Sequence, residues 1–319
     1  MTRPATMLEK VERYLKHRRG LGYQLRIEGG MLKQFAAFAD ANGHRGPLTT
    51  ELTVQWAQRP SAGDRLYWAR RLEVVRCFAK YLSVSEPDTE IPPRGFFGPA
   101  HRRTTPHVYT NAEVADLMAA ACLLNPRGGL RPQTYATLIG MLACTGLRIS
   151  EALRLTRSDA DLEHGILKVR ETKFRKSRFV PVHPTAVRAL QSYASARDRI
   201  SPSGKCDRFF VSDRGQPMPY STVRTVFRSL CGGLKIASRN RRQPRLHDLR
   251  HTFACRRVER WYDTGTNLEG LVAALSVYLG HAKVSDTYWY LTATPELLAR
   301  AAARFEAFAS GVTEGEVRP

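Results

Sequence analysis

Across residues 7–83 apolar positions recur at spacings of three, four and seven, the period of amphipathic helices. Leu8, Val11 and Leu15 share one face, Leu32, Phe35, Ala36 and Ala39 a second, and Leu66, Leu72, Val75, Phe78, Ala79 and Leu82 a third. Gly20-Leu21-Gly22 and Asn42-Gly43 interrupt the pattern where turns are needed. From Glu86 to Thr110 the periodicity stops. Pro87, Pro92, Pro93, Pro99 and Pro106 cannot continue a helix and favour an extended, fairly stiff connector.

Helical patterning resumes with a capping box, Thr110 with Glu113, ahead of a stripe of Val114, Leu117, Met118 and Ala121. A largely apolar helix over about 133–144 stops at Gly146. The period then shortens to that of strands at 165–172 and 178–182, with the cationic turn K-F-R-K-S between them. Further helices are expected around 186–197, 222–230, 247–262, 268–279 and 295–309, with a strand-like F-F-V-S from Phe209. No internal repeat is evident. The order predicts a mainly α chain with a small β-sheet, in two domains: a helical one over 1–86, a proline-rich linker over 87–109 and an α+β domain over 110–319.

Charge sharpens this picture. Fifty Lys and Arg against 29 Asp and Glu leave +21 on 319 residues, spread along the whole chain, with a pI near 10.2. Such a surface binds polyanions by releasing condensed counterions, so nucleic acid is the leading partner class. Arg18, Arg19, Arg70 and Arg71 occupy positions left over by the apolar stripes, and Arg102 and Arg103 lie in the linker; with Lys176 they are the candidate phosphate contacts. The six cysteines include no C-x-x-C pair, and several sit in apolar runs, which predicts buried, reduced thiols. No apolar signal core opens the chain and no run approaches the ~18 apolar residues of a membrane span, so a cytoplasmic protein is expected.

The chemistry gathers in four stretches. Arg148 follows the Gly146 helix stop. Lys173 lies in the hairpin turn with Lys176 close behind. H-D-L-R-H puts His247 and Arg250 on one helix face at i and i+3. Y-L-G-H-A-K-V-S-D-T-Y-W-Y-L, from Tyr278, ends an apolar helix at Gly280 and offers His281 and Tyr290. A phenol with a pKa of about 10 is a poor nucleophile unless cations surround it. Two guanidiniums could grip the non-bridging oxygens of one phosphodiester and lower the cost of deprotonating Tyr290, while a lysine could protonate the leaving 5′ oxygen. Neither metal nor cofactor is needed.

Blander readings exist for each. Arg148 could merely pair with Glu151, Tyr288 or Tyr262 could be the nucleophile, and His247 with His251 at i and i+4 has the spacing of a zinc-peptidase helix. Against zinc, the base would be the short Asp248, Arg250 would put a positive charge beside the metal, and no third-ligand segment follows.

These stretches resemble the tyrosine recombinase, or phage integrase, family. T-G-L-R-I-S-E-A-L-R-L is similar to its first arginine box, H-D-L-R-H-T-F-A to its second and L-G-H-A-K-V-S-D-T-Y-W-Y to its third, in the right order over roughly 108–300. The resemblance implies a catalytic set of Arg148, Lys173, His247, Arg250, His281 and Tyr290, the tyrosine nine positions beyond the histidine. Lys176 is close enough to serve in place of Lys173, and the interval from the second box to Gly280 is longer than in typical members. The implied fold is an N-terminal helical core-binding domain with an α+β catalytic domain. The implied reaction is strand exchange on double-stranded DNA through a 3′-phosphotyrosine bond, by four protomers that pack through the last helix, on a mobile element, where some members act with sister recombinases. A nicking-closing activity like that of type IB topoisomerases is a near relative. The alternative is a DNA-binding accessory subunit that keeps the fold and cuts nothing.

Overall fold

The computed structural model describes residues 5–59, 63–101, 105–170, 177–200, 206–237, 243–264, 268–281, 283–292 and 295–309. The chain divides into two compact units, Met1–Thr104 and Thr105–Pro319. No helix among the described residues is long and apolar enough to cross a membrane.

The first unit packs α1 (Met7–Gly20), α2 (Arg26–Ala41), α3 (Thr50–Gln58) and α4 (Arg65–Leu82) around one apolar core. Thr6 and Glu9 form a capping box at α1, while Thr49 and Asp64 cap α3 and α4, each satisfying backbone N–H groups that a helix start leaves unpaired. Trp56 is 2% exposed and meets Phe35 edge to face at 5.3 Å. Helix α3 buries only Thr53, Trp56 and Ala57, too few positions for the apolar period to mark it as a separate element.

One expectation is corrected here. Arg71 is not a surface cation: it is 5% exposed, its guanidinium lies 3.7 Å from the Trp56 ring centre, and it donates to the Trp56 carbonyl at 2.9 Å. It stabilises the core by cation–π contact and cannot reach a phosphate. The proline-rich segment is held at both ends. Its first part docks on the helices, with Glu90 accepting from the Thr50 N–H, Arg76 donating to the Pro92 carbonyl and Phe97 buried in the core. At its far end Tyr109 is 1% exposed inside the second unit. An extended chain exposes backbone groups at every residue, and docking lets neighbouring helices satisfy them.

The second unit begins with α5 (Asn111–Cys122), opened by the Thr110–Glu113 capping box, and α6 (Leu130–Thr145). Short α7 (Ile149–Ala152) leads to an antiparallel sheet of β1 (Ala160–Asp161), β2 (Ile166–Val169) and β3 (Arg178–Pro181), in the order β1-β2-β3. Leu167 pairs with Val180, and both point into the core with Val169. Then come α8 (Pro184–Ile200), α9 (Tyr220–Gly233), α10 (Leu246–Asp263), α11 (Leu268–Leu279), α12 (Ser285–Tyr288), a 3-10 turn (Trp289–Thr292) and α13 (Pro295–Ala309). A separate apolar cluster joins α10 and α11 to Tyr290 and Leu297.

The F-F-V-S stretch makes no strand. It contributes only isolated bridges, Thr156 with Arg208 and Val211 with Pro217, while Phe209 and Phe210 are driven into the core beside Tyr193. Its backbone is satisfied by the Leu155 carbonyl and the Tyr193 hydroxyl instead of a sheet partner. The thiols are also less buried than expected: Cys77, Cys122 and Cys144 are exposed, and only Cys231 and Cys255 are fully buried.

Gly146 ends α6 with φ +63°, and a Cβ there would lie 2.6 Å from Cδ1 of Phe253 on α10. Gly146→Ala therefore meets both a left-handed backbone and an overpacked contact, and should cost about 2–4 kcal/mol, read as a lower midpoint of thermal unfolding.

Candidate active site

Helix α6 ends at Gly146 and α11 ends just before Gly280, both glycines in the left-handed conformation that turns a chain out of a helix. Helix ends leave carbonyls without partners, and these carbonyls build the site. Arg250, on α10, is 2% exposed; its Nη1 donates to the Gly146 carbonyl at 2.8 Å and its Nη2 to the Leu279 carbonyl at 2.7 Å. Arg148, which opens α7, donates from Nη2 to the Gly280 carbonyl at 3.2 Å and from Nη1 to Glu151 Oε1 at 2.9 Å. Both guanidiniums are thereby fixed against the end of α11, and Arg250 against the end of α6 as well.

Glu151 is 3% exposed and shared by two arginines, since Arg178 donates to both of its oxygens, at 3.2 and 2.8 Å. Burial alone would raise its pKa, but the hydrogen bonds and charges of Arg178 and Arg148 overcome this and hold it at about 2. Pairing Arg148 with Glu151 and using Arg148 in the site are thus the same arrangement, not rival ones.

The histidines sit under the influence of these cations. His281 accepts or donates at Nδ1 with the Thr287 hydroxyl at 2.7 Å, which fixes the ring and leaves Nε2 to the site. Lost hydration, then Arg250 and Arg148, pull its pKa down to about 4. His247 keeps an edge in solvent, yet the protein crowded around it strips most of its hydration, and with Arg250 this lowers it to about 4. His251 meets His247 edge to face at 4.7 Å, and among the described residues no group of three His, Cys, Asp or Glu side chains is placed to hold a metal ion. Burial and His247 push His251 down to about 3, and its Nδ1 is buried without a hydrogen-bond partner.

Tyr290 is 3% exposed in the 3-10 turn, its ring parallel to His281 at 6.0 Å and tilted on His251 at 5.5 Å. Burial raises its pKa above the ordinary phenol range, opposed by Arg250 and Arg148. Tyr288 is 54% exposed, on the preceding helical turn. Arg148, His247, Arg250, His281 and Tyr290 are therefore brought together. Lys173 and Lys176 lie outside the described residues, as do Arg102 and Arg103. In the first unit Arg19 is exposed, Arg18 stacks on Tyr23 at 3.9 Å, and exposed Arg70 donates to the Ala100 carbonyl.

The sequence reading missed Arg178, Thr287 and His251 as parts of the site. Thr287 lies between His281 and Tyr290 and could have been found by its position. Arg178 carries no local signal: it looks like an ordinary strand residue, and its partners are 27 and 100 positions away.

The lowered histidine values set a pH window. Each ring has a folded pKa of about 3 or 4 against an ordinary 6.5, so between these limits the unfolded chain binds protons that the folded one refuses. Stability from these groups is complete above about pH 6.5 and is lost as pH falls through the window. The midpoint of thermal unfolding without DNA should fall steadily from about pH 7 to pH 4.5, above the range where Glu151 begins to protonate. The slope should flatten in His251→Phe.

Residues 107–296 match the model of the phage integrase family. A Sinorhizobium fredii protein carrying the name integrase/recombinase y4rB is 39% identical over 308 residues, which cover 95% of this chain and 98% of the relative. The tyrosine recombinase XerC of Chlamydia trachomatis is 29% identical over 221 residues, 69% of this chain and 65% of that one. Among solved structures, the Tn1549 transposon integrase in complex with transposon right end DNA matches with a TM-score of 0.69 at 17% identity, over 96% of this chain and 100% of that one. The XerH site-specific recombinase bound to a palindromic difH substrate matches with a TM-score of 0.66 at 17% identity, over 93% of this chain and 84% of that one. At such identities the two structures speak for the fold, while the family match and the near-full-length relative speak for descent, and on them this chain is a member of the phage integrase family of tyrosine recombinases.

Proposed function

We propose that this chain is a site-specific DNA recombinase that cuts and rejoins duplex DNA with Tyr290 as nucleophile. Arg148 and Arg250 hold the non-bridging oxygens of the scissile phosphodiester, and His247 and His281 add hydrogen bonds to it. What carries this reading is the convergence of both guanidiniums, both imidazoles and the buried phenol on the ends of α6 and α11. A pure DNA binder has no physical use for a buried phenol among cations.

The phenol oxygen attacks phosphorus, forms a 3′-phosphotyrosine bond and expels the 5′ oxygen, which Lys173, or Lys176 in its place, protonates. A 5′-hydroxyl from a partner strand then attacks the same linkage and restores the phenol. Bond energy is kept in the ester, so the exchange runs without ATP. In the free protein burial keeps Tyr290 a neutral phenol. Its proton must leave as the phosphate is engaged, which ties attack to the presence of DNA. The arginines withstand the loss of water because each is anchored: Arg250, although burial lowers it to about 10, remains a cation at neutral pH.

DNA holding is assigned to the net charge of +21 and, in the first unit, to Arg18, Arg19 and Arg70. Arg102 and Arg103 belong to the same reading on sequence grounds. Helix α13 leaves Leu298 49% and Phe305 70% exposed, which supports packing on a neighbouring protomer in a tetramer on synapsed DNA. The transposon integrase among the structural matches supports a link to a mobile element, and sister recombinases are further partners on the family resemblance. A DNA-acting enzyme without an apolar spanning helix among its described residues fits the cytoplasm.

The test is covalent trapping on a nicked suicide substrate drawn from the DNA flanking the gene. Wild type should give an SDS-resistant adduct mapping to Tyr290, with no added metal, and Tyr290→Phe should give none. An adduct on Tyr288 would keep the reaction and move the nucleophile. Tight binding with no wild-type adduct would turn the assignment towards an accessory subunit. Arg148→Ala, which removes one stabiliser of the charge that builds on phosphate, should slow adduct formation by roughly 100- to 1,000-fold.

A further inference from the structure

Arg178 opens β3 and faces three groups that define the site. Its Nε donates to the Tyr278 carbonyl at 2.8 Å, and its Nη1 and Nη2 bridge the two oxygens of Glu151 at 3.2 and 2.8 Å. Three successive carbonyls at the end of α11 are thus taken by three different arginines: Tyr278 by Arg178, Leu279 by Arg250 and Gly280 by Arg148. The guanidinium also rests against Gly280, where a Cβ would lie 2.6 Å from Nη1. His281 is the next residue.

The side chain of Arg178 is 11% exposed and that of its partner Glu151 1% exposed. All three nitrogens of Arg178 are engaged, so it has no fork left for a phosphate. Glu151 in turn accepts the Arg148 backbone N–H at 3.0 Å and its Nη1 at 2.9 Å. Arg178 holds Glu151, and Glu151 holds Arg148. A carboxylate released by Arg178 would be free to close on Arg148 with both oxygens, the favoured geometry for a guanidinium and a carboxylate, and so withdraw it from DNA.

We propose that Arg178 is a positioning residue for strand cleavage, keeping Arg148 available to the scissile phosphate by occupying the second face of Glu151 and pinning the end of α11. The proposal rests on the assignment of Arg148 as a phosphate-holding group. A planar fork is required: lysine carries the charge on one nitrogen and cannot meet both carboxylate oxygens in parallel while a separate nitrogen holds the carbonyl.

The experiment uses the full chain in single-turnover cleavage of the suicide substrate at saturating DNA, with DNA affinity and thermal unfolding measured beside it. Arg178→Met and Arg178→Lys should both bind DNA as wild type does and form adduct on the order of 100-fold more slowly. On a substrate whose scissile phosphate has one non-bridging oxygen replaced by methyl, the charge that Arg148 meets is absent, and the loss should shrink to about threefold or less. A bridging 5′-thio substrate, which relieves only leaving-group protonation, should not restore the rate. The double variant Arg148→Ala with Arg178→Met should cleave no more slowly than Arg148→Ala alone.

A purely structural role would lower the unfolding midpoint and leave the folded fraction cleaving at the wild-type rate. That result, or fully additive losses in the double variant, overturns the proposal. Should Arg178→Met fail to fold, Arg178→Lys decides, because it keeps a cation beside Glu151. Absence of a Tyr290 adduct with wild type would instead bring down the assignment of the site itself.

Discussion

The second unit depends on one buried guanidinium. Arg250 joins the carbonyl at the end of α6 to the carbonyl at the end of α11, two segments far apart in the chain, from a third helix, α10. Burying a cation is costly unless its donors are met, and carbonyls at helix ends are ready acceptors that would otherwise go unpaired. The same bonds orient the guanidinium and hold the three helices, so fold and site share a single set of interactions. The arrangement also explains the two left-handed glycines. Gly146 must admit Phe253 and Gly280 must admit Arg178, approaches that a side chain at either position would block.

How far the sequence could be read followed how local each determinant is. The capping box at Thr110 and Glu113, the glycine stops and the long apolar stripes are set by neighbours a few positions away, and they appear where periodicity puts them. The three boxes were legible for the same reason, each being a short run with its own spacing. Arg71 was misread because a cation in a gap between apolar stripes looks solvated, while the indole that covers it lies 15 positions back. Phe209 and Phe210 were misread because a short apolar run has the same appearance in a strand and in a loop driven inward by aromatic packing. Arg178 was invisible for the strongest form of this reason, since none of its partners is local.

Tyr290 illustrates how a reactive group is kept quiet. Its ring is enclosed by His281, His251 and Trp289, and burial outweighs the nearby cations, so the oxygen carries its proton until something changes around it. The imidazoles are likewise held neutral, first by lost hydration and then by the arginines beside them. An arriving phosphate acts on the imidazoles, because its negative charge offsets the guanidiniums that help hold the histidine values down, while the same charge makes ionisation of the phenol harder.

The inner set of Arg148, Arg178, Arg250 and Glu151 also fixes an electrostatic balance. The carbonyls that anchor the arginines are neutral, so among these described residues two positive charges stay uncompensated. A phosphodiester brings one negative charge and leaves the site still short. The five-coordinate phosphorus formed by an attacking phenolate carries two, and matches it. On the proposed reading, the excess charge left by one carboxylate among three guanidiniums makes the site complementary to the crest of the reaction and not to the DNA it first receives.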